Sequence, residues 1–145
     1  MTKKKNLLRL QLTLSHSSAP YNNFTLKTHK FHNITTLTLF NPEMEIPKMV
    51  KVVSCNGKVV QFIQELITLI KSGNFDIVHV HTVHVATLFI VSNIISNYYL
   101  FNISLFTVHN SYENYRLKHK VQLPFIFLFF KKIVFCSKSS MKSFP

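Results

Sequence analysis

Phe75-Asp76-Ile77-Val78-His79-Val80-His81, an uncharged apolar run, and then Leu105-Phe106-Thr107-Val108-His109-Asn110 form the stretch that decides the fold. It reads as strand, helix, strand, with histidines where each strand ends. Asp76 to His81 is short, β-branched and apolar, as a buried strand is. Val83 to Tyr99 follows as an apolar helix, and Ile103 to His109 as the next strand. No Lys, Arg, Asp or Glu occurs from Ile77 to Tyr112. A membrane span needs about twenty predominantly apolar residues. The window from Val85 to Phe106 carries Ser92, Asn93, Ser96, Asn97, Asn102 and Ser104, which would need partners in lipid. A helix and strand buried in a protein core is the better reading.

Outward from this stretch the pattern repeats. Lys58 to Ser72 places Val59, Phe62, Ile63, Leu66, Ile67 and Ile70 on one helical face, and Gly73 supplies a stop. Earlier, Leu8, Leu10, Leu12 and Leu14 alternate with Arg9, Gln11 and Thr13, which predicts a strand with one well-covered face. Ser15 to His32 is polar and reads as loop. Ile34 to Phe40 and Met49 to Ser54 read as two further strands, separated by Asn41-Pro42 and Pro47 and closed by Asn56-Gly57. Asn114 to Lys132 is helical in pattern, with Pro124 expected to kink or split it. Ile133 to Cys136 is a last strand, and Ser137 stands where it would cap a following helix.

Strands alternating with helices predict an α/β fold, a Rossmann-like doubly wound parallel sheet in a single domain over residues 1–145. The alternation stops just after Ser137. The sheet is therefore expected to be incomplete at the C-terminus, and apolar surface around Phe125 to Phe130 to favour self-association and, with nearby basic residues, peripheral contact with a membrane surface.

The formal charge is +12, from 17 Lys and Arg against 5 Asp and Glu. The basic residues are dispersed apart from Lys3-Lys4-Lys5, and no nucleic-acid-binding motif accompanies them, so no nucleic-acid partner is expected. Cys55 and Cys136 form no CxxC pair and suit a reduced, cytoplasmic protein. Arg9 and Gln11 interrupt the leucine-rich start, which argues against a signal peptide. With only Gly57 and Gly73, neither GxGxxG nor a Walker loop is possible, and no nucleophile elbow occurs.

The candidates for chemistry are the strand-end residues, since ligands bind outside the carboxyl ends of strands in open α/β sheets. His79 and His81 are two apart and share a face. With His84 they form a His-x-His-x-x-His string that invites a metal reading, although a hydrolytic site usually needs carboxylates too and Asp76 sits at the far end of the strand. His109, followed by Asn110, Ser111, Tyr112 and Glu113, can hold a sugar hydroxyl or meet a developing charge. Glu113 also suits a helix N-terminus as a simple dipole partner.

Three segments together resemble a known family. Phe75 to His81, Thr107 to Asn110, and Ile133-Val134-Phe135-Cys136-Ser137-Lys138-Ser139-Ser140 occur in that order, as in the amino-terminal domain of family-4 glycosyltransferases. The match covers about residues 58–145 well and 1–57 loosely. The resemblance implies a GT-B arrangement of two Rossmann-like domains, of which this chain is the acceptor-side one. It implies transfer of a sugar from a nucleotide-sugar donor to a sugar or lipid acceptor with retention, in the manner of hexosyltransferases and with no metal or other cofactor. His109 falls on the family's catalytic-site histidine, and His81 on the second histidine of its Asp-x-x-His-x-His strand. Ser137 falls on the serine that ends the next strand and starts a helix, and Asn110, Glu113, Ser137 and His81 are the expected substrate-binding residues. Ser17-Ser18-Ala19-Pro20 stands where relatives carry a Gly-Gly loop. The family's carboxyl-terminal, donor-binding domain is expected to be absent from these residues, so this half alone is expected to be inactive without a partner. Two readings stand beside this one: an inactive remnant or interaction module with the same fold, and a histidine metal site.

Overall fold

A computed structural model of the chain describes residues 4–15, 28–46, 48 and 50–145. Six strands, β1 (Asn6–Gln11), β2 (Asn33–Thr38), β3 (Lys51–Ser54), β4 (Ile77–His81), β5 (Ser104–Val108) and β6 (Lys132–Phe135), form one sheet. Every pairing is parallel, and the order across the sheet is β3-β2-β1-β4-β5-β6. This is the strand order of dinucleotide-binding doubly wound sheets, which reverses direction between β1 and β4. The expected α/β, Rossmann-like architecture is what the chain adopts. The helices among the described residues are α1 (Val59–Ser72), α2 (Val83–Ser96), α3 (Leu117–Phe129) and the short α4 (Lys138–Lys142).

Local sequence sets these boundaries. Asn56 and Gly57 both have positive φ, 52° and 79°, and Lys58 N–H closes the turn on Cys55 C=O at 2.8 Å. Asn-Gly is the pair that tolerates two such residues in succession. In α1, Phe62, Leu66 and Ile70 recur every fourth residue and are buried. The chain leaves that helix at Gly73, whose N–H bonds Leu69 C=O at 2.8 Å. The polar residues in the uncharged run have work within α2. Asn93 donates to Phe89 C=O at 2.7 Å and accepts from Leu100 N–H at 2.8 Å, and Ser92 donates to Leu88 C=O at 2.8 Å. Asn97, left-handed at φ 54°, ends α2 three residues after Ile94. Among the described residues no helix is long and apolar enough to cross a membrane.

Two expectations need correction. Pro124 neither splits nor ends α3, which runs continuously to Phe129; the helix begins later than expected, because a 3-10 turn over Tyr112–Asn114 precedes it. The first strand ends at Gln11, and its second face is as well covered as its first: Arg9 and Gln11 are each 3% exposed. Residues 16–27 of the polar segment, with the Ser17–Pro20 stretch, and also Pro47 and Met49 lie outside the described residues.

Parallel register decides which side chains share a face. Leu8, Leu10, Leu37, Val78, Val80, Phe106 and Val108 pack with Phe62, Leu66, Phe89, Leu123 and Ile126 of α1, α2 and α3 in the main core. Burying one such Leu or Phe side chain stabilises by roughly 1.5–3 kcal/mol. The alternate residues form the opposite face, which is apolar at its start, with Leu7, Ile34 and Ile77, and polar toward the carboxyl ends of the central strands. Thr36 and Thr38, Arg9 and Gln11, His79 and His81, and Thr107 stand side by side by strand pairing. The expected apolar patch near Phe125 divides between two surfaces: Ile126 and Phe130 are buried, while Leu117, Val121, Phe125 and Leu128 form an exposed stripe on α3.

Candidate functional site

The polar face ends in a cluster of rings at the carboxyl ends of β4 and β5. His79 pairs with Leu105 across the ladder and His81 with Thr107, so each histidine sits diagonally from the residue two further along β5. Both make that diagonal contact. His79 Nε2 lies 2.7 Å from Thr107 Oγ1, and His81 Nδ1 lies 3.0 Å from His109 Nε2. Val108 pairs with Phe135, which sets Cys136 beside His109, and Cys136 Sγ is 3.3 Å from His109 Nδ1. The rings of His79 and His81 are 4.0 Å apart, and those of His81 and His109 stack at 5.3 Å.

Electrostatics keep the cluster neutral. Burial first, then the charges of Arg9 and His109, push His79 down to about 3. His81 is held well below the usual imidazole value by burial, then by His79, His109 and Arg9. His109 is lowered by burial against its neighbours although the residue keeps substantial exposure. Burial also pulls the Arg9 guanidinium down to about 10 and pushes the Cys136 thiol up. The ring contacts form one relay from Cys136 Sγ through His109 to His81 Nδ1: with the thiol donating, the last proton sits on His81 Nε2, and with both tautomers reversed that nitrogen is a bare acceptor.

In either arrangement His81 Nε2 has no partner. His81 Nε2 and Gln11 Nε2 are buried atoms without a hydrogen bond, on residues that are each 3% exposed. An unsatisfied buried donor costs about 1–3 kcal/mol, so such groups mark places where something else bonds. Both residues line a cavity of about 270 Å³ with Leu12, Thr13, Ser15, Thr82 and His109. A second cavity of about 290 Å³ shares Leu12, Thr82 and His109 with it and extends to His84, Asn110, Tyr115, Arg116 and His119. Together they form a cleft where the sheet reverses direction between β1 and β4, the place such sheets bind ligands. Thr82, on its floor, has φ 71° and ψ 146°, a conformation that strains a β-branched residue and is found chiefly at functional sites.

The residues singled out in the sequence separate here. His81 and His109 are in contact, and Asn110 lines the cleft. Glu113 is exposed in the 3-10 turn and lines neither cavity. Ser137 caps α4, accepting from Ser140 N–H at 3.0 Å. Ser140 Oγ donates to Asn110 C=O at 2.9 Å, and Ser143 Oγ accepts from Tyr112 N–H at 2.8 Å, so α4 fastens the loop after β5. Ser137→Ala is expected to lower stability by about 1 kcal/mol and to speed hydrogen exchange of the Ser140 amide; unchanged exchange would refute the cap. The His-x-His-x-x-His string does not converge: His84 is exposed and meets His119 edge-on at 4.7 Å, away from His79 and His81. Among the described residues no three His, Cys, Asp or Glu side chains are grouped to hold a metal ion.

Sequence reading missed Gln11, Thr107, Cys136, Arg116 and His119. The first two were legible as polar positions at period two in neighbouring strands. Arg116 and His119 join the site only because a loop turns back over the sheet. Comparison of the sequence with protein-family models and with curated proteins returns no match.

Proposed function

We propose that the chain is the acceptor-side domain of a retaining glycosyltransferase, acting in the cleft over the ends of β1, β4 and β5 to pass a sugar from a nucleotide-sugar to an acceptor. A facing lobe holds the nucleotide in this reading. The observation that carries it is the pair of partnerless buried nitrogens, Gln11 Nε2 and His81 Nε2, beside His109 in an open cleft. A sugar hydroxyl fits them: it accepts from the amide, and being both donor and acceptor it matches either tautomer of the imidazole. Neutral imidazoles suit hydroxyl binding, and burial keeps His81 neutral. Both His109 nitrogens are engaged, and the thiol contact at 3.3 Å is the weaker bond, so a hydroxyl that His109 binds at Nδ1 replaces Cys136. The resemblance of Phe75–His81, Thr107–Asn110 and Ile133–Ser140 to family-4 glycosyltransferases supports the same reading.

The test is imidazole-detected NMR of the full chain with a panel of nucleotide-sugars and methyl glycosides. At least one sugar is expected to shift the His81 and His109 rings, and His109→Ala to abolish that response. If every ligand leaves both rings unmoved, the enzyme reading fails and a non-catalytic module of the same fold remains.

A further inference from the structure

The outer half of the cleft has a composition that hydroxyl binding does not explain. Its lining combines Arg116, His84, His119 and His109 with Asn110, Asn114 and Tyr115, and it contains no carboxylate. The nearest acid in sequence, Glu113, points to no part of that lining. Positive charge around the pocket disfavours protonating its histidines. His119 is lowered first by burial and then by the charges of His84, Lys118 and Arg116. Its Nε2 is a buried atom with no partner, and Thr82 Oγ1 is another.

Two helices begin at this pocket, α2 after Thr82 and α3 after Arg116. Neither has an acidic residue in its first turn or a side-chain cap. Helix N-termini favour negative charge, and here both meet basic side chains instead. Thr82 is a residue type that caps helices well, yet its hydroxyl makes no such bond. A guanidinium, a partnerless hydroxyl and a partnerless imidazole nitrogen around about 290 Å³ of space have one common complement, an oxyanion.

We infer that this pocket binds a phosphate group carried by the acceptor, held by Arg116, His84 and His119 at the mouths of α2 and α3. The word acceptor rests on the proposed transferase function; the phosphate site does not. Arg116 supplies a planar fork that matches phosphate oxygens in pairs, and a bound dianion offsets the positive potential that lowers His119. The inner cavity, with Gln11 and His81, stays free for the sugar.

The experiment titrates the full chain with inorganic phosphate, phenyl phosphate, acetate and a nucleoside diphosphate, reading the imidazole resonances. Phosphate and phenyl phosphate are expected to shift His84 and His119 before His79, and acetate to bind more weakly. Arg116→Ala should weaken phosphate binding by about tenfold or more, the loss typical of a charged hydrogen bond, while Arg116→Lys retains part of it. Arg116 is exposed, so its replacement leaves the core intact. Phosphate binding that is absent, that ignores Arg116→Ala, or that acetate equals would overturn the site. If Arg116→Ala weakens the nucleoside diphosphate as much as phenyl phosphate, the group belongs to the donor and the acceptor assignment falls. Sugar binding read at His109 is a separate signal, so failure of one proposal is distinguishable from failure of the other.

Discussion

Below pH 6.5 the protein is expected to lose stability at up to about 2.7 kcal/mol per pH unit, twice the 1.36 kcal/mol that one titrating group contributes. The cause is His79 and His81, both neutral in the folded chain because burial and neighbouring charge depress them. In the unfolded chain each takes up a proton near pH 6.5. Between that pH and the folded values the unfolded state binds more protons, so stability rises with pH and is lost as pH falls. For His79 the loss continues to about pH 3. Domains of this size are stable by only about 5–15 kcal/mol, so two units of acidification remove a large share. The net charge of +12 adds self-repulsion in the same direction. Urea midpoints measured from pH 7 to 4.5 check the slope, and His79→Gln should reduce it by about half. A midpoint that stays flat from pH 7 to 5 would show that these rings are charged, or solvated, in the fold.

The second large effect lies on the opposite face of the sheet. Phe89→Ala is expected to cost about 3–5 kcal/mol, the range for removing a buried aromatic ring. Phe89 is fully buried, and its ring meets Phe101 at 5.9 Å and Phe130 at 5.5 Å. Phe130 in turn meets Phe106 of β5 at 5.5 Å. One deletion therefore loosens α2, the turn before β5 and the end of α3 together. With urea slopes of about 1–3 kcal/mol per molar, the midpoint should fall by more than about 1 M. Phe125→Ala, on the exposed stripe of α3, is the control and should change stability by less than about 0.5 kcal/mol. Equal effects at the two positions would refute the assignment of inner and outer faces.

The fold was largely legible because each strand and helix carries its own period. Phe62, Leu66 and Ile70 announce α1, and Ile77 to His81 announces β4, from local residues alone. The meeting of His81 with His109 also follows from sequence once the two segments are read as adjacent parallel strands. What stayed hidden depends on neighbours. Arg9 and Gln11 look like a solvent face in β1, yet each is buried in the folded chain, next to Thr36 and Thr38 of β2. Strands buried on both faces ordinarily read as continuous apolar runs. This sheet keeps the alternation of a half-exposed one. Pro124 misled because its missing N–H was expected to kink or split a helix that runs unbroken to Phe129 with Leu123 and Ile126 buried. The role of Ser140 and Ser143 in holding the loop after β5 was invisible, because those bonds span about thirty positions of chain.

The two-sided chemistry of the sheet has a consequence for how the chain finds its native pairing. Shifting any strand by one residue exchanges its faces. For β4 such a slip would drive two imidazoles into the space of Val78 and Val80, among Phe89 and Leu66, and strand those valines beside an arginine. For β1 it would send a guanidinium into the same hydrocarbon. Mispaired intermediates are thus penalised on both sides of the layer at once, and the buried polar row acts as a proofreader of alignment as the sheet assembles.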